Sequence, residues 1–236
     1  MPTCPECQAT YIVKNGHIHT GKQRYLCRQC GYQFVEEPTD KRIDQATREL
    51  IDRLLLERIS MAGIARAVQV SEQWLQDYVN DKAAQTATRA EVVPKKRGPL
   101  SVQCDELWSF VDRKGYKQWV WLALDAQTRE IIGAHVGSRG RDSAQQLWQS
   151  LPPLYRQCAV VYTDAWEAYQ GVLPSKRHQV VTKDSGKTSY IERFNCTLRQ
   201  RVSRFVRRSL AFSKSLRNHI GLLWNFIHHY NASLPV

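Results

Sequence analysis

Three carboxylates in the second half of the chain, followed by a basic segment, carry the clearest chemical signal in the sequence. The acids are Asp105, Asp164 and Glu192, and residues 193–236 contain eight Lys or Arg but no Asp or Glu. Carboxylate oxygens are the ligands that hard divalent cations prefer, and Lys and Arg neutralise the phosphates of nucleic acids. The pattern therefore predicts metal-dependent chemistry beside a phosphate backbone that the basic residues hold.

Four of the seven cysteines form two pairs near the N-terminus, with two residues inside each pair. The four are Cys4, Cys7, Cys27 and Cys30. Nineteen residues lie between the pairs, a spacing typical of a zinc site with four thiolate ligands. A segment this short buries too little apolar surface to fold alone, so a metal crosslink gives it a physical reason to fold. Four thiols without metal are the alternative. His17 and His19 are further possible ligands, but four sulfurs already complete a tetrahedron, and we expect both histidines on an exposed hairpin.

The composition favours an anionic partner. The chain has 236 residues, with 34 Lys or Arg against 22 Asp or Glu, a net charge of +12 and an isoelectric point near 9.5. Such a balance suits an anionic polymer or an anionic membrane surface. No apolar run approaches the roughly 20 residues needed to cross a bilayer, and the N-terminus lacks the layout of a secretory signal. We expect a cytoplasmic protein of a bacterial or archaeal nucleoid, where paired cysteines indicate metal before disulfide. Cys104 and Cys158 are predicted to be buried in strands.

Residues 40–80 carry the apolar periodicity of helices. One amphipathic helix is predicted over 43–55, a short helix over 61–68, and a third helix after a turn, with Ser71 as its N-cap. This outline matches a helix-turn-helix, whose last helix enters the major groove of DNA. Many three-helix bundles share the outline without binding DNA, but the zinc module and the positive charge favour DNA binding.

Two prolines and three consecutive cations predict a basic linker at 93–99. The cations are Lys95, Lys96 and Arg97. The linker either lies along a phosphate backbone or in a minor groove, or serves only as a soluble tether. It divides the chain into a zinc module at 1–38, a helix-turn-helix domain at 39–92 and a catalytic domain at 100–236.

The predicted catalytic domain begins with strands. Those at 103–111, 118–125 and 130–137 are separated by turn residues and predict an antiparallel meander. A helix at 143–151 with Asp142 as its cap, a fourth strand at 159–163, a fifth strand at 178–182 and helices from about residue 190 follow. This is the element order of a ribonuclease-H-like fold. The predicted fold class is multidomain: a zinc-binding module and an α-helical helix-turn-helix, then an α/β ribonuclease-H-like catalytic domain with a mixed five-stranded sheet.

That fold brings the distant acids together. Its first strand is central with the fourth beside it, so Asp105 and Asp164 are expected to be close, and Glu192 begins a helix that packs across the sheet. Strand alternation alone does not decide between Asp105 and Glu106, which point to opposite faces. Any single acid is more often a solvated surface group. The acids at 125, 142 and 184 fit turn, cap or loop roles.

Three motifs resemble those of transposases of the insertion-sequence-one family. They are Cys104-Asp105-Glu106-Leu107-Trp108, Tyr162-Thr163-Asp164-Ala165-Trp166 and Ile191-Glu192-Arg193-Phe194-Asn195, followed by Leu198-Arg199-Gln200 and residues 209–215. The resemblance spans nearly the whole chain, because that family also joins a zinc finger and a helix-turn-helix to its catalytic part. It implies an acid-triad (DDE) transposase in which Asp105, Asp164 and Glu192 bind catalytic Mg²⁺ or Mn²⁺. The chain departs from some members in reading straight through, and its polar loop at 183–187 is longer than usual.

Polar residues on and after the helix of Glu192 extend the predicted DNA surface. Asn195 and Arg199 share the helix face of Glu192 and match polar positions of the family motif. Arg201, Arg204 and Arg208 recur at helical spacing and predict a phosphate-binding stripe, with a solvated cationic face as the alternative. An apolar stripe nearer the C-terminus predicts core or dimer packing; it consists of Ile220, Leu223, Trp224, Ile227 and Tyr230.

The sequence therefore predicts a transposase that binds the terminal inverted repeats of an insertion element. It would catalyse metal-dependent cleavage and strand transfer on double-stranded DNA, with Zn²⁺ in its N-terminal module. A dimer or larger assembly is expected, because two DNA ends must be held together. Two alternatives stay open. A zinc-finger and helix-turn-helix transcriptional regulator explains the first 92 residues but not the acids, and a structure-specific nuclease cuts without joining.

Overall fold

The computed structural model describes residues 2–36, 43–91, 99–206 and 211–235. The chain divides into two compact units, residues 1–45 and 46–236. Within the described ranges, no helix is both long enough and apolar enough to span a membrane. Most of the linker predicted at 93–99 lies outside the described residues, as do four of the predicted DNA contacts. The predicted contacts concerned are Lys95, Lys96, Arg97 and Arg208.

The first unit is an antiparallel sheet of three short strands. These are β1 (Ile12–His17), β2 (Gln23–Cys27) and β3 (Gln33–Val35), in that spatial order. Its buried apolar core contains Cys4, Ile12 and Cys27, and the rings of Tyr25 and Phe34 stack beside it. So small a core does not offset the conformational entropy lost on ordering the segment. The unit therefore needs a crosslink, which its cysteines are placed to supply.

Three helices follow, α1 (Gln45–Leu54), α2 (Met61–Val68) and α3 (Glu72–Gln85). The last two begin at serines whose hydroxyls accept a backbone N–H. Ser60 accepts from Gly63 at 3.1 Å, and Ser71 accepts from Trp74 at 3.2 Å. Each such cap stabilises a helix by about 1 kcal/mol. Gln69 has left-handed backbone, with φ 57°, and ends α2. The predicted cap at Ser71 and the short turn before it are confirmed.

The rest of the second unit is organised around a mixed sheet of five strands. They are β4 (Ser101–Phe110), β5 (Lys117–Asp125), β6 (Ile131–Gly137), β7 (Val160–Thr163) and β8 (His178–Val180), in the spatial order β6-β5-β4-β7-β8. The first three form the predicted antiparallel meander, whereas β7 runs parallel to β4 and β8 runs parallel to β7. Because β7 pairs with β4 only at residues 101–103, the sheet opens beside the remainder of β4.

Helices cover both faces of this sheet. They are α4 (Arg141–Ser150), α5 (Pro153–Cys158), α6 (Ser189–Arg201) and α7 (Leu216–Ala232), with single 3-10 turns at Glu167–Tyr169, Lys183–Ser185 and Ser203–Phe205. Side chains of β4 alternate between the two faces, so Leu107 lies in the core with α6 and α7, and Cys104 lies in the core with α4 and α5. The predicted apolar stripe of α7 packs into the first of these cores.

Two expectations near α4 and α5 are wrong. Asp142 is not the N-cap, because α4 begins at Arg141 after Gly140 and Asp142 lies in its first turn. Two prolines follow α4, and Pro153 occupies the first turn of α5, where a missing N–H is tolerated. Since α5 continues to Cys158, this cysteine is exposed at a helix end instead of buried in a strand. Cys104 is buried in β4 as predicted.

The predicted stripe of Arg201, Arg204 and Arg208 does not form one helix face. Helix α6 ends at Arg201, and Arg204 lies in the separate 3-10 turn that follows. The chain leaves the helix because three apolar side chains at and after its end turn into the core. They are Leu198, Val202 and Phe205. Burial of these side chains therefore overrides the helical spacing of the arginines.

Helices α3 and α7 approach each other closely. The amide of Asn218 donates to the side-chain oxygen of Asn80, and Leu222 joins the apolar core of the first three helices. Gly221 faces Ala83, and a Cβ atom at Gly221 would lie 2.5 Å from the Ala83 carbonyl oxygen. This packing requires a residue without a side chain on α7.

We expect Gly221→Ala to destabilise the protein by about 1–3 kcal/mol, because the added methyl group must push α3 and α7 apart. The free energy of unfolding in urea measures the effect. Gly115→Ala is the matched control, since nothing lies within 4 Å of a Cβ atom at Gly115. Its effect should stay within about 0.5 kcal/mol. Equal losses in the two variants would contradict the close contact.

Candidate active site and zinc centre

A cleft beside the open stretch of β4 brings the three predicted acids to one cavity. It has a volume of about 930 Å³ and is lined by Asp105 of β4, Asp164 after β7 and Glu192 of α6. Three elements far apart in sequence supply one acid each, because β7 lies beside β4 and α6 packs on β4. Carboxylates from all three predicted positions therefore face the same space.

Asp105 is held by two hydrogen bonds. Its Oδ2 accepts from the side-chain amide of Asn195 at 2.7 Å, and its Oδ1 accepts from the backbone N–H of Glu106 at 2.9 Å. Burial, followed by the negative charge of Glu106 and then that of Asp164, raises the pKa of Asp105 to about 7. The hydrogen bonds therefore fix the position of the carboxylate. Its charged form is disfavoured there unless a cation lies nearby.

Glu106 points to the opposite face of β4 and is engaged by other groups. Its Oε1 accepts from Nε and Nη2 of Arg139 at 3.1 and 2.8 Å, and its Oε2 accepts from the Tyr169 hydroxyl at 3.3 Å. Burial raises the pKa of Glu106, and the hydrogen bond from Arg139 opposes that shift. Strand alternation did not decide between Asp105 and Glu106 as the metal ligand on β4. The contacts favour Asp105, because it faces α6 and has no cationic partner like Arg139.

Asp164 and Glu192 are exposed at the cleft. Oδ1 of Asp164 accepts from the backbone N–H of Trp166 at 3.0 Å, and Oε1 of Glu192 accepts from the Thr188 hydroxyl at 2.8 Å. Within the described part of the chain, the second oxygen of each carboxylate has no hydrogen-bond partner. One oxygen therefore orients each acid and the other is available to a ligand.

Gln103 places α6 relative to the acid on β4. It precedes Asp105 by two residues, so both side chains lie on the same face of the strand. Its Oε1 accepts from the backbone N–H groups of Tyr190 and Ile191, each at 3.0 Å, and so satisfies two donors at the start of α6. Gln103 is 2% exposed. This buried link sets how far along β4 the helix begins, and hence where Glu192 lies.

The ligand set of the cleft suits a hard divalent cation. It consists of carboxylates and one amide oxygen, since Oδ1 of Asn195 is buried and has no hydrogen-bond partner in the described structure. Oxygen ligands of this kind are preferred by Mg²⁺ and Mn²⁺. The mutual repulsion that raises the pKa of Asp105 is relieved when a cation binds between the acids. The residues present therefore fit a divalent metal.

The four predicted cysteine ligands form a compact cluster. Their sulfur atoms all lie within 4.8 Å of one another. The Cys4–Cys30 and Cys7–Cys27 sulfur pairs are each 3.6 Å apart. A tetrahedron with Zn–S bonds of about 2.3 Å has edges of about 3.8 Å, so the sulfurs match a zinc site. The backbone N–H of Cys30 is the main influence that lowers the pKa of Cys27 to about 7, whereas the pKa values of Cys7 and Cys30 are raised within the same cluster.

Two equivalent turns shape the cysteine cluster. Gln8 and Gly31, each one residue after the second cysteine of a pair, have left-handed backbone with φ 60° and 76°. Their N–H groups donate to the carbonyl oxygens of Cys4 and Cys27, both at 2.9 Å. The turns direct the two sulfurs of each pair to the same point. His17 is exposed at the end of β1, as expected for a hairpin position.

The predicted DNA-binding residues occupy different surroundings. Asn195 and Arg199 line the cleft with the acids. Arg201 forms an ion pair with Glu57 at 2.8 Å. Arg204 lines a separate groove of about 630 Å³ between the first three helices and the segment after α6. Asn195 is buried, and its side-chain amide donates a hydrogen bond to Asp105.

Two cations that the sequence reasoning missed also line the cleft. Arg58 comes from the connection between α1 and α2, and Arg139 lies between β6 and α4. Neither belongs to a basic run, so no local pattern marks them, and only the tertiary packing brings them near the acids. Thr188 had a detectable signal, since a Thr just before a predicted helix start is a common capping residue.

Comparison with known proteins identifies relatives of both ends of the chain. Residues 100–231 match the family model of the IS1 transposase, and residues 3–31 match the zinc ribbon of the InsA N-terminal domain. The insertion element iso-IS1n protein InsB of Shigella dysenteriae is 32% identical over 130 residues, which cover 54% of this chain and 94% of that protein. The insertion element IS1 4 protein InsB of Escherichia coli (strain K12) is 34% identical over 134 residues, which cover 56% of this chain and 77% of the relative.

The match over residues 100–231 covers more than half of the chain and includes all three cleft acids. The protein is therefore a DDE-type transposase, a class that acts on DNA with a divalent metal, and it carries a zinc ribbon before its catalytic domain. The chain belongs to the IS1 transposase family. The predicted family and activity are confirmed, and a regulator without a catalytic domain no longer describes the chain.

We expect Cys27→Ser to release the zinc of the N-terminal unit, because three sulfurs no longer complete the tetrahedral site. Zinc content of the purified full chain, measured by atomic emission, should fall from about one ion to near zero. Cys158→Ser is the matched control, since Cys158 is exposed at the end of α5, outside the cluster. Unchanged zinc content in Cys27→Ser would overturn the ligand assignment.

Proposed function

We propose that this transposase binds the terminal inverted repeats of its element and catalyses strand cleavage and strand transfer with Asp105, Asp164 and Glu192 as its metal ligands. The observation that carries the proposal is the meeting of these three acids, from β4, β7 and α6, in one open cleft. Mg²⁺ or Mn²⁺ is the proposed ion, because the three acids and Asn195 offer oxygen ligands.

In the proposed reaction, a bound divalent ion would activate the attacking oxygen and stabilise the leaving oxygen of a phosphodiester. The protein's own residues supply placement. Asn195 holds Asp105, the Trp166 N–H holds Asp164, and the Thr188 hydroxyl holds Glu192, so the three carboxylates present fixed directions. The same geometry serves water or a 3′-hydroxyl as the nucleophile, which is why cleavage and joining need only one site.

The topology supports a ribonuclease-H-like fold for the catalytic domain. Its central β4 lies between an antiparallel meander and the parallel strands β7 and β8, and helices cover both faces. We propose domain boundaries at 1–38, 39–92, 93–99 and 100–236. The contacts of α3 with α7 mean that the proposed helical domain packs on the catalytic domain as well as preceding it in sequence.

The helices α1 to α3 are proposed to form a helix-turn-helix that contributes base discrimination more than affinity. Residues 43–91 contain six Lys or Arg and eight Asp or Glu, a net charge of −2. The exposed positions of α3 include Glu72, Gln73 and Asp77. Acids weaken phosphate binding, but Gln and Glu side chains can bond to base edges in the major groove. Affinity must then come from cations elsewhere.

Those cations lie in three proposed places. Arg199 and Arg58 line the active cleft, and Arg201 and Arg204 follow at the end of α6 and after it. The sequence adds Lys95, Lys96, Arg97 and Arg208. We propose that all of these cations contact phosphates. Asn195 is proposed to hold Asp105 in place instead of binding DNA.

A homodimer in the cytoplasm is the proposed assembly, because two element ends must be brought together.

We expect Asp164→Asn to abolish strand transfer, by about a thousandfold or more, because the neutral amide removes a metal ligand from the cleft. The assay incubates the purified full chain with its own element ends and Mg²⁺ and separates nicked from joined strands. Affinity for the ends, measured by gel shift without added Mg²⁺, should change by less than about threefold. Asp142→Asn, an exposed acid in the first turn of α4, is the control.

Two outcomes would contradict this assignment. Loss of end binding together with cleavage would mean that Asp164 supports the DNA site or the fold. Nicked strands without joined strands from the unmodified protein would favour the structure-specific nuclease, since the same cleft serves either nucleophile.

We expect Gln73→Ala to reduce the preference for element ends over unrelated DNA by about tenfold or more, the scale of one good base contact. The logarithmic salt dependence of binding to unrelated DNA should not change, because Gln73 neutralises no phosphate. Competition binding at fixed salt measures both quantities. Gln85→Ala in the last turn of α3 is the control. An unaltered preference in Gln73→Ala would remove this face of α3 from end recognition.

A further inference from the structure

Arg139 is the centre of a side-chain cluster at the edge of the active cleft. Its guanidinium carbon lies 4.3 Å from the centroid of the Trp119 ring and 3.8 Å from that of Trp166, so the cation is held between two aromatic faces. The Trp166 Nε1–H donates to the Arg139 carbonyl oxygen at 3.1 Å. Stacking and hydrogen bonding together fix this cation in one position.

The fixed cation is directed at Glu106. Two guanidinium nitrogens donate to Oε1 of Glu106, at 3.1 and 2.8 Å. The Glu106 side chain is 2% exposed and that of Arg139 is 40% exposed. A buried carboxylate without a partner is strongly unfavourable, so Arg139 neutralises an acid that directly follows Asp105 in β4.

Arg139 is also linked to Asp164, through Trp166. The backbone N–H of Trp166 donates to Asp164, while the ring of Trp166 stacks on Arg139 and its Nε1–H donates to the Arg139 backbone. A substitution at Arg139 would therefore remove the stacking that holds the ring of Trp166 but would keep its hydrogen bond to the backbone. One side chain is linked to the surroundings of both Asp105 and Asp164.

We propose that Arg139 is a positioning residue that confines metal binding to Asp105, Asp164 and Glu192 by neutralising Glu106 and holding Trp166. The inference deepens the proposed function of the cleft and rests on it. Glu106 also lines the cleft, and without Arg139 its carboxylate keeps only the Tyr169 hydroxyl as a partner, so it competes for the cation. The metal would then still bind, but in an unproductive place.

The test compares Arg139→Gln with the double variant Glu106→Gln/Arg139→Gln in the full chain. At saturating element-end DNA and Mn²⁺, we expect single-turnover cleavage by Arg139→Gln to fall about 10–100-fold, the range for residues that orient metal ligands. Mn²⁺ affinity, measured by calorimetry without DNA, should stay equal or rise, because a negative charge has been uncovered. The double variant should recover at least about tenfold of the lost rate, since the uncovered charge is removed.

Two further variants keep the test interpretable. Arg141→Gln is the matched control, because Arg141 lies nearby and its Nη2 donates to the Gly171 carbonyl oxygen, away from the acids. Its cleavage rate and Mn²⁺ affinity should match those of the unmodified protein. Arg139→Lys keeps the charge without the flat stacked guanidinium and should cleave faster than Arg139→Gln. It replaces Arg139→Gln in the comparison if thermal unfolding shows that the latter does not fold.

Several results would overturn the proposal. A double variant as slow as Arg139→Gln would mean that Arg139 serves packing alone, and so would joint loss of Mn²⁺ binding and cleavage. Weaker end binding with an unchanged rate at saturating DNA would make Arg139 a phosphate contact. Failure of the proposed function itself is distinguishable, because Asp164→Asn would then cleave normally whatever the Arg139 variants do.

Discussion

The buried contact between Gln103 and the start of α6 is the constraint on which the catalytic cleft depends. One side-chain oxygen satisfies two backbone donors that would otherwise lose their partners inside the protein, each at a cost of about 1–3 kcal/mol. The same strand face carries Asp105 two residues later, and nine paired residues lock β4 to β5 in register. A shift of one residue in β4 would turn both side chains to the other face. Helix position and acid position are therefore fixed by one strand register.

Charge is the second organising feature of the site. Burial raises the pKa of Asp105, and the nearby charges of Glu106 and Asp164 add to this shift. Two features of the cleft reduce the repulsion among these acids. Arg139 neutralises the charge of Glu106, and within the described residues Asp164 and Glu192 each keep one oxygen without a hydrogen-bond partner. Cations suited to phosphate line the same cleft, while residues 43–91 carry a net charge of −2. Acids and cations that line one cleft allow a metal and a polyanion to be bound side by side.

Much of the fold was predictable, because the turn residues, helix caps and cysteine spacings in the sequence agree with the elements in the structure. The antiparallel meander followed from turn residues between strands, the Ser71 cap from its place before an apolar helix, and the cysteine cluster from two short spacings. The errors share a cause. Cys158, Asp142 and the stripe through Arg204 were judged on local pattern, yet α5 accepts Pro153 in its first turn, α4 begins earlier, and α6 stops where Val202 and Phe205 enter the core. At the end of α6, burial of apolar side chains outweighed the helical spacing of the arginines.

The sequence by itself determined which residues have the chemistry: four thiols at zinc spacing, three acids in separate motifs and the cations that follow them. These follow from residue type and short-range spacing, which a linear chain displays directly. Only the tertiary structure decided that Asp105 and not Glu106 faces α6, that Arg58 and Arg139 reach the cleft, and that Asn195 holds an acid. Those facts depend on contacts between residues more than thirty positions apart in the chain, such as Arg139 with Glu106 and Asn195 with Asp105. Such contacts arise from packing two faces of one sheet, and no local pattern encodes them.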